Sequence, residues 1–140
     1  MESYTQLKKR HEKEFSELKG VFFAFSTEQF FRGIKSIGLD PKDYDKDDLV
    51  RFAMGSYCLA STYPQLQELV DKHEKEMNLL KNDPERFVKA LVYELQNHEY
   101  CYSYETDDSL EVFGLTNETV DPELLARAIE ICEKNYDLHN

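Results

Sequence analysis

The sequence has no tryptophan, three cysteines and five glycines that never adjoin one another. Without a glycine cluster there is no phosphate-cradling loop of the nucleotide-binding kind. Cys58, Cys101 and Cys132 are an odd set without framework spacing. That excludes a disulfide scaffold and points to reduced thiols in a cytosol. His11, His73, His98 and His139 stand far apart in the chain, with no HxxxH or CxxC spacing. No metal site and no cofactor are expected on that ground. No apolar run approaches the ~18 residues that span a bilayer. The stretch MESYTQLKKRHEKEF has no apolar signal core. A soluble, cytoplasmic protein is expected.

The most informative absence is of positive charge. No Lys or Arg occurs between Lys89 and Arg127. Over the last 51 residues there are twelve acids and two bases; the first 89 hold sixteen and fifteen. Nearly all of the net charge of −11 therefore lies in the C-terminal part. Such a field repels phosphate backbones and anionic membranes, so direct nucleic-acid binding and membrane binding are not expected. It attracts basic surfaces. Simple solvation of a soluble protein is the competing role for the acids.

A chain of 140 residues fits one domain, 1–140, with enough length for its own core. Its nine Phe and nine Tyr argue against wholesale disorder. Ser3 with Gln6 forms a capping box for a helix over about residues 4–19, whose stripe is Tyr4, Leu7, His11, Phe15 and Leu18. Val21–Phe25 reads as a buried extended run, and Ser26 with Gln29 caps the next helix, which Gly38 closes. Phe22, Phe23, Phe25, Phe30 and Phe31 are expected at the centre of the core. Asp40–Asp48 contains Asp43, Asp45 and Asp47 in the D-x-D-x-D order of a calcium loop. Asp48 and Met54 stand where that loop needs Gly and Glu, so a solvated acidic loop is the better reading.

Leu49–Ala60 carries β-formers on both sides of Met54-Gly55-Ser56 and reads as a hairpin, with a continuous helix as the rival. Leu66, Leu69, Val70, His73, Met77 and Leu80 mark a helix over 63–81. Asp83-Pro84 starts another over about 84–97, and Asp121-Pro122 starts the last. Thr106 or Asp107 caps a short helix between them. The alternation of Tyr100, Tyr102 and Tyr104 predicts a short extended piece with all three on one side. The fold expected is mainly α (α+β): five to six helices packed on an aromatic core, with a small β-hairpin near residues 49–60.

Chemistry is thinly represented. Cys101 lies three residues from His98, but the nearby acids raise a thiol pKa and no glycine elbow accompanies the pair. No catalytic residue is assigned. The best candidate surface is partner-binding: Glu99, Tyr102, Tyr104, Glu105, Asp107, Asp108, Glu111, Glu118, Asp121 and Glu123. Acids spaced along a surface imitate phosphate charge, and Tyr is a frequent interface anchor. Half-buried core packing is the competing role for the tyrosines.

The pieces LKKRHEKEF (Leu7–Phe15), FFAFSTEQF (Phe22–Phe30), HEKEM (His73–Met77), YELQNHEY (Tyr93–Tyr100) and D-x-L-x-x-x-G-L-T (Asp108–Thr116) span most of the chain. Together they resemble an uncharacterised family of small acidic proteins carried by phages and mobile elements of gut bacteria. The chain departs from it at FAMGSYCLA, where the family is richer in glycine. The resemblance implies no activity and no catalytic residues. It does imply a mobile-element setting in a bacterial host cell. From it follows the leading expectation: a non-enzymatic inhibitor or modulator, of anti-CRISPR or anti-restriction type, that blocks a basic nucleic-acid-binding surface of a host protein. A metal- or thiol-dependent enzyme centred on His98, Glu99 and Cys101 is the alternative, as is an assembly protein acting by self-association.

Overall fold

Helices start where cap chemistry places them. Ser3 Oγ accepts from Gln6 N at 3.2 Å and Gln6 Oε1 accepts from Ser3 N at 3.0 Å, a complete reciprocal cap. Ser26 accepts from Gln29 N, and Asp83 accepts from Arg86 N with Pro84 in the first helical position. The computed structural model describes residues 2–139, apart from the side chain of His139. It contains α1 (Tyr4–Ser16), β1 (Val21–Phe23), α2 (Thr27–Ser36), β2 (Leu49–Ala53), β3 (Ser56–Leu59), α3 (Tyr63–Lys81), α4 (Pro84–Asn97), α5 (Tyr100–Ser103), α6 (Asp107–Glu111) and α7 (Pro122–His139). A 3₁₀ turn, Lys46–Asp48, precedes β2. The mainly helical α+β class is as expected, with seven α-helices described instead of five or six. The additional one is the short α5, while α6 is the short helix expected after Thr106 or Asp107. Among the described residues no helix is long and apolar enough to cross a membrane.

The chain packs as two compact units. One comprises Lys9–His73; the other comprises the chain before Lys9 and after His73. Both boundaries fall inside helices, α1 and α3.

The Lys9–His73 unit is organised by its sheet. The expected hairpin is present, β2 against β3, with a bulge between Arg51 and Ala53. Gly55 makes its turn possible, at a φ of +71° that L side chains rarely adopt. β1 adds to the other side of β3, giving the antiparallel order β1-β3-β2 with Phe22 opposite Tyr57. Phe22, Tyr57 and Phe30 form the aromatic cluster, with ring centroids 5.1–5.8 Å apart. The expected five-phenylalanine centre is corrected here: Phe23, Phe25 and Phe31 are exposed. In a strand as short as β1, alternate side chains point to opposite faces, so only Phe22 turns inward. The acidic loop is held by its own aspartates. Asp40 accepts from Lys42 N and Asp45 from Asp47 N, both at 2.9 Å.

The second unit has the larger apolar core. α4 supplies Phe87, Val88, Ala90, Leu91, Val92 and Leu95, all buried. It packs chiefly on α7, whose inner residues Ala128 and Cys132 are also buried. Tyr4 and Leu7, from the start of α1, complete this core with Leu80, Leu110 and Phe113.

Candidate functional site

The polar connection from α4 to α7 is not extended. After Asn97 the chain reaches Glu99 at φ +55°, makes the single turn α5, and leaves through Tyr104 at φ +61°. This corrects the expected extended piece. Alternation over five residues fits a strand, but backbone hydrogen bonds from Ser103 N to Glu99 O and Tyr104 N to Tyr100 O close a helical turn instead. The three tyrosines therefore do not share a side. Tyr100 is buried, while Tyr102 and Tyr104 are 82 % and 72 % exposed. Left-handed backbone at two non-glycine residues is strained, and such strain clusters at binding and switch segments.

All ten residues of the candidate surface are exposed: Glu99, Tyr102, Tyr104, Glu105, Asp107, Asp108, Glu111, Glu118, Asp121 and Glu123. Two of them also have local structural work. Asp107 accepts from Asn117 Nδ2 at 2.8 Å, in a tie that continues from Asn117 to Thr106. Asp121 accepts from Glu123 N at 2.9 Å and so caps α7.

Beside this surface lies an open cavity of about 830 Å³. Gln96 of α4 lines it, as do Glu99 and the α5 residues Tyr100, Cys101 and Tyr102. Cys132, Asn135 and Tyr136 close it from α7. Cys101 is partly exposed and Cys132 is buried, and their sulfurs are 3.7 Å apart. Burial, the hydrogen bond to Cys101, and the charges of Cys101 and Glu133 push the Cys132 thiol up to about 12.

Sequence reasoning missed the most deeply buried charge. Glu94 is fully buried on the inner side of α4. Tyr4 Oη donates to its Oε1 at 2.6 Å and Lys8 Nζ donates to the same oxygen at 2.8 Å. The Lys8 ammonium also lies over the Tyr93 ring, 5.3 Å from its centroid. Glu94 Oε2 is buried with no hydrogen-bond partner among the described residues. Nδ1 of His98, one turn on, is 3.6 Å from that oxygen and 2.8 Å from Glu94 O. Burial, followed by the hydrogen bond and charge of Glu94, drives the Tyr4 hydroxyl far above its ordinary pKa, so Tyr4 stays a donor. The signal was present in the spacing. Glu94 follows Phe87 by seven positions and Leu91 by three, which places it on the apolar stripe.

The model of DUF7659, a family of unknown function, matches residues 3–134. The chain belongs to that family. No curated protein and no solved structure matches it. The DUF7659 match includes Glu94, both cavity cysteines and the whole candidate surface, and stops just short of Asn135 and Tyr136.

The Lys9–His73 part of this DUF7659 chain brings together two histidines that its sequence keeps apart. His11 and His73 stack with centroids 3.7 Å apart and planes 15° from parallel. Glu14 Oε1 is 3.5 Å from His73 Nε2. Packing, not spacing in the sequence, brings these histidines together. Glu14 also accepts from Lys72 at 2.8 Å and from Arg10 at 2.6 Å. The Lys72 hydrogen bond leads in lowering its pKa from 4.5 to about 2, against partial burial, with Arg10 adding to the effect. Because the folded value is the lower one, this stabilisation is present above pH 4.5 and is lost as pH falls towards 2. The stability gap between wild type and Glu14→Gln, read from urea unfolding at a series of pH values, should close over that window. A gap that stays constant down to pH 2 would refute the ion-pair account.

Proposed function

We propose that this protein is a non-enzymatic binding protein whose acidic face, from Glu99 to Glu123, takes up a basic surface on a partner protein. The observation that carries this reading is the exposure of all ten candidate side chains on a stretch without Lys or Arg, with Tyr102 and Tyr104 projecting from a strained turn. Carboxylates spaced along a surface substitute for phosphates in a groove built for nucleic acid, and the exposed tyrosines supply stiff contact area. In its sharpest form the partner is a nucleic-acid enzyme of a bacterial defence system. That form follows from the mobile-element setting implied by the sequence resemblance, with action in the cytoplasm of the host cell.

A thiol enzyme centred on His98, Glu99 and Cys101 draws less support. Cys101 is hydrogen-bonded with Cys132, while His98 Nδ1 is taken up by Glu94 O. Self-association has no geometric support of its own.

The test is capture from bacterial lysate at low and high salt, followed by rate measurements on the purified partner. The variant combines Glu99→Gln, Glu105→Gln, Asp108→Asn, Glu111→Gln, Glu118→Gln and Glu123→Gln. It leaves Asp107 and Asp121 in place, since they hold local structure. Wild type should retain a basic nucleic-acid enzyme at low salt and release it at high salt. The variant should associate at least about ten-fold more slowly, because steering is collective, and each single change should do little. Binding that ignores both salt and the combined variant would defeat the proposal.

A further inference from the structure

We propose that Cys101 and Cys132 form an oxidation site in which a peroxide joins them as a reversible disulfide between α5 and α7, independently of what the acidic face binds.

The geometry has three parts. First, the thiols are already in contact, with Sγ atoms 3.7 Å apart. A disulfide needs about 2.05 Å, so the remaining approach is short. Second, their exposures differ in the useful sense. Both line an open cavity of about 830 Å³, but Cys101 is partly exposed whereas Cys132 is buried in its wall. A small oxidant entering the cavity meets Cys101 first. Third, the segment that must move is the light one. Cys101 rides on a four-residue turn bounded by the strained residues Glu99 and Tyr104, while Cys132 is fixed in the long α7. Closing the gap requires adjustment of one turn, not of two packed helices. Two thiols in a core also pack simply as small apolar groups. A buried pair needs no cavity for that, however, and Cys58, fully buried in β3, shows the inert arrangement.

The steps balance. The Cys101 thiolate attacks a peroxide oxygen, the O–O bond breaks, and Cys101 sulfenic acid and hydroxide result. Cys132 sulfur then attacks the sulfenyl sulfur. The S–O bond breaks, the S–S bond forms, and the Cys132 proton leaves with the oxygen as water. The peroxide is reduced by two electrons and the two thiols are oxidised by two. Both steps need a sulfur nucleophile, so closure speeds as pH rises and the thiolate fraction grows.

The experiment uses the whole protein, hydrogen peroxide as oxidant, and alkylation of remaining thiols in denaturant with intact-mass detection. The three free thiols of the reduced protein should fall to one, with loss of about 2 Da before alkylation. Dithiothreitol should restore all three. Peptide mapping should find Cys58 as the alkylated residue, and Cys58→Ser should still close the bridge. Cys101→Ser and Cys132→Ser should each abolish it. In Cys132→Ser, dimedone should trap a sulfenic acid on Cys101. Closure in wild type should accelerate with pH. The proposal is overturned if all thiols stay alkylatable, if Cys101 passes directly to sulfinic acid with Cys132 intact, or if the only disulfide formed joins two chains.

Discussion

Glu94→Ala is expected to destabilise the protein by about 3–5 kcal/mol, the range for breaking a buried ion pair by removing one partner. A typical domain has only about 5–15 kcal/mol in total, so the change is severe. The components can be ranked. Lys8 is 36 % exposed on its side chain, so solvent screens its attraction to Glu94 and water replaces the lost partner. The Coulombic part is therefore the smaller one. Tyr4 is different: it is buried, its hydroxyl donates to Glu94 at 2.6 Å, and its ring packs on Tyr93 and Phe113. Without the carboxylate that hydroxyl is left unpaired, which costs about 1–3 kcal/mol. The space vacated between Leu91 and Leu95 adds a cavity cost. Glu94→Gln keeps the shape and an acceptor for Tyr4, so it should lose appreciably less than Glu94→Ala. Tyr4→Phe removes the donor alone and should fall below both. Urea unfolding followed by circular dichroism measures all three. A loss below about 1 kcal/mol for the alanine variant would mean that solvation, not this cluster, satisfies the site.

The same helix shows what was legible in the sequence and what was not. Its start at Asp83-Pro84 and its stripe were plain, because capping and periodicity act within one or two turns. The caps at Ser3 and Ser26 and the hairpin around Gly55 were legible for the same reason. Glu94 was legible in position but not in role. Its partners Tyr4 and Lys8 come from the other end of the chain, and no local rule connects them. The pairing of β1 with β3, the stacking of His11 on His73, and the contact of Cys101 with Cys132 are likewise products of packing. At α5, local reasoning chose wrongly between two short patterns. A single helical turn and a short strand place so few residues that periodicity does not separate them, and the left-handed backbone at Glu99 and Tyr104 decided the outcome. The charge pattern of the candidate surface needed no packing to be read. Exposure of charged side chains is the default, and all eight acids follow it.

Gly33→Ala is expected to destabilise the Lys9–His73 unit by about 1–3 kcal/mol, although alanine is normally the better helix residue by nearly 1 kcal/mol. Gly33 lies inside α2 with ordinary helical backbone, so the reason for glycine is space and not conformation. A Cβ there would stand 2.0 Å from Cδ2 of Phe22, with two more ring atoms at 2.4 and 2.5 Å. The ring has little room to yield. It is stacked on Tyr57 at 5.2 Å and meets Phe30 edge-on at 5.8 Å. Relief therefore requires α2 to lift from β1 or the aromatic cluster to repack, and either outweighs the gain in helix propensity. A double-mutant cycle separates this clash from any general intolerance of α2. Phe22→Leu alone should be destabilising, because it thins the cluster. In the Phe22→Leu background, however, Gly33→Ala should cost much less, with a coupling of about 0.5–3 kcal/mol between the two sites. Strict additivity in thermal or urea unfolding would show that Phe22 is not what excludes a side chain from position 33. If coupling is found, the close approach of α2 to β1 at Gly33 explains why FFAFSTEQFFRG is built as it is. One phenylalanine is clamped between strand and helix, and the glycine opposite it makes the clamp fit.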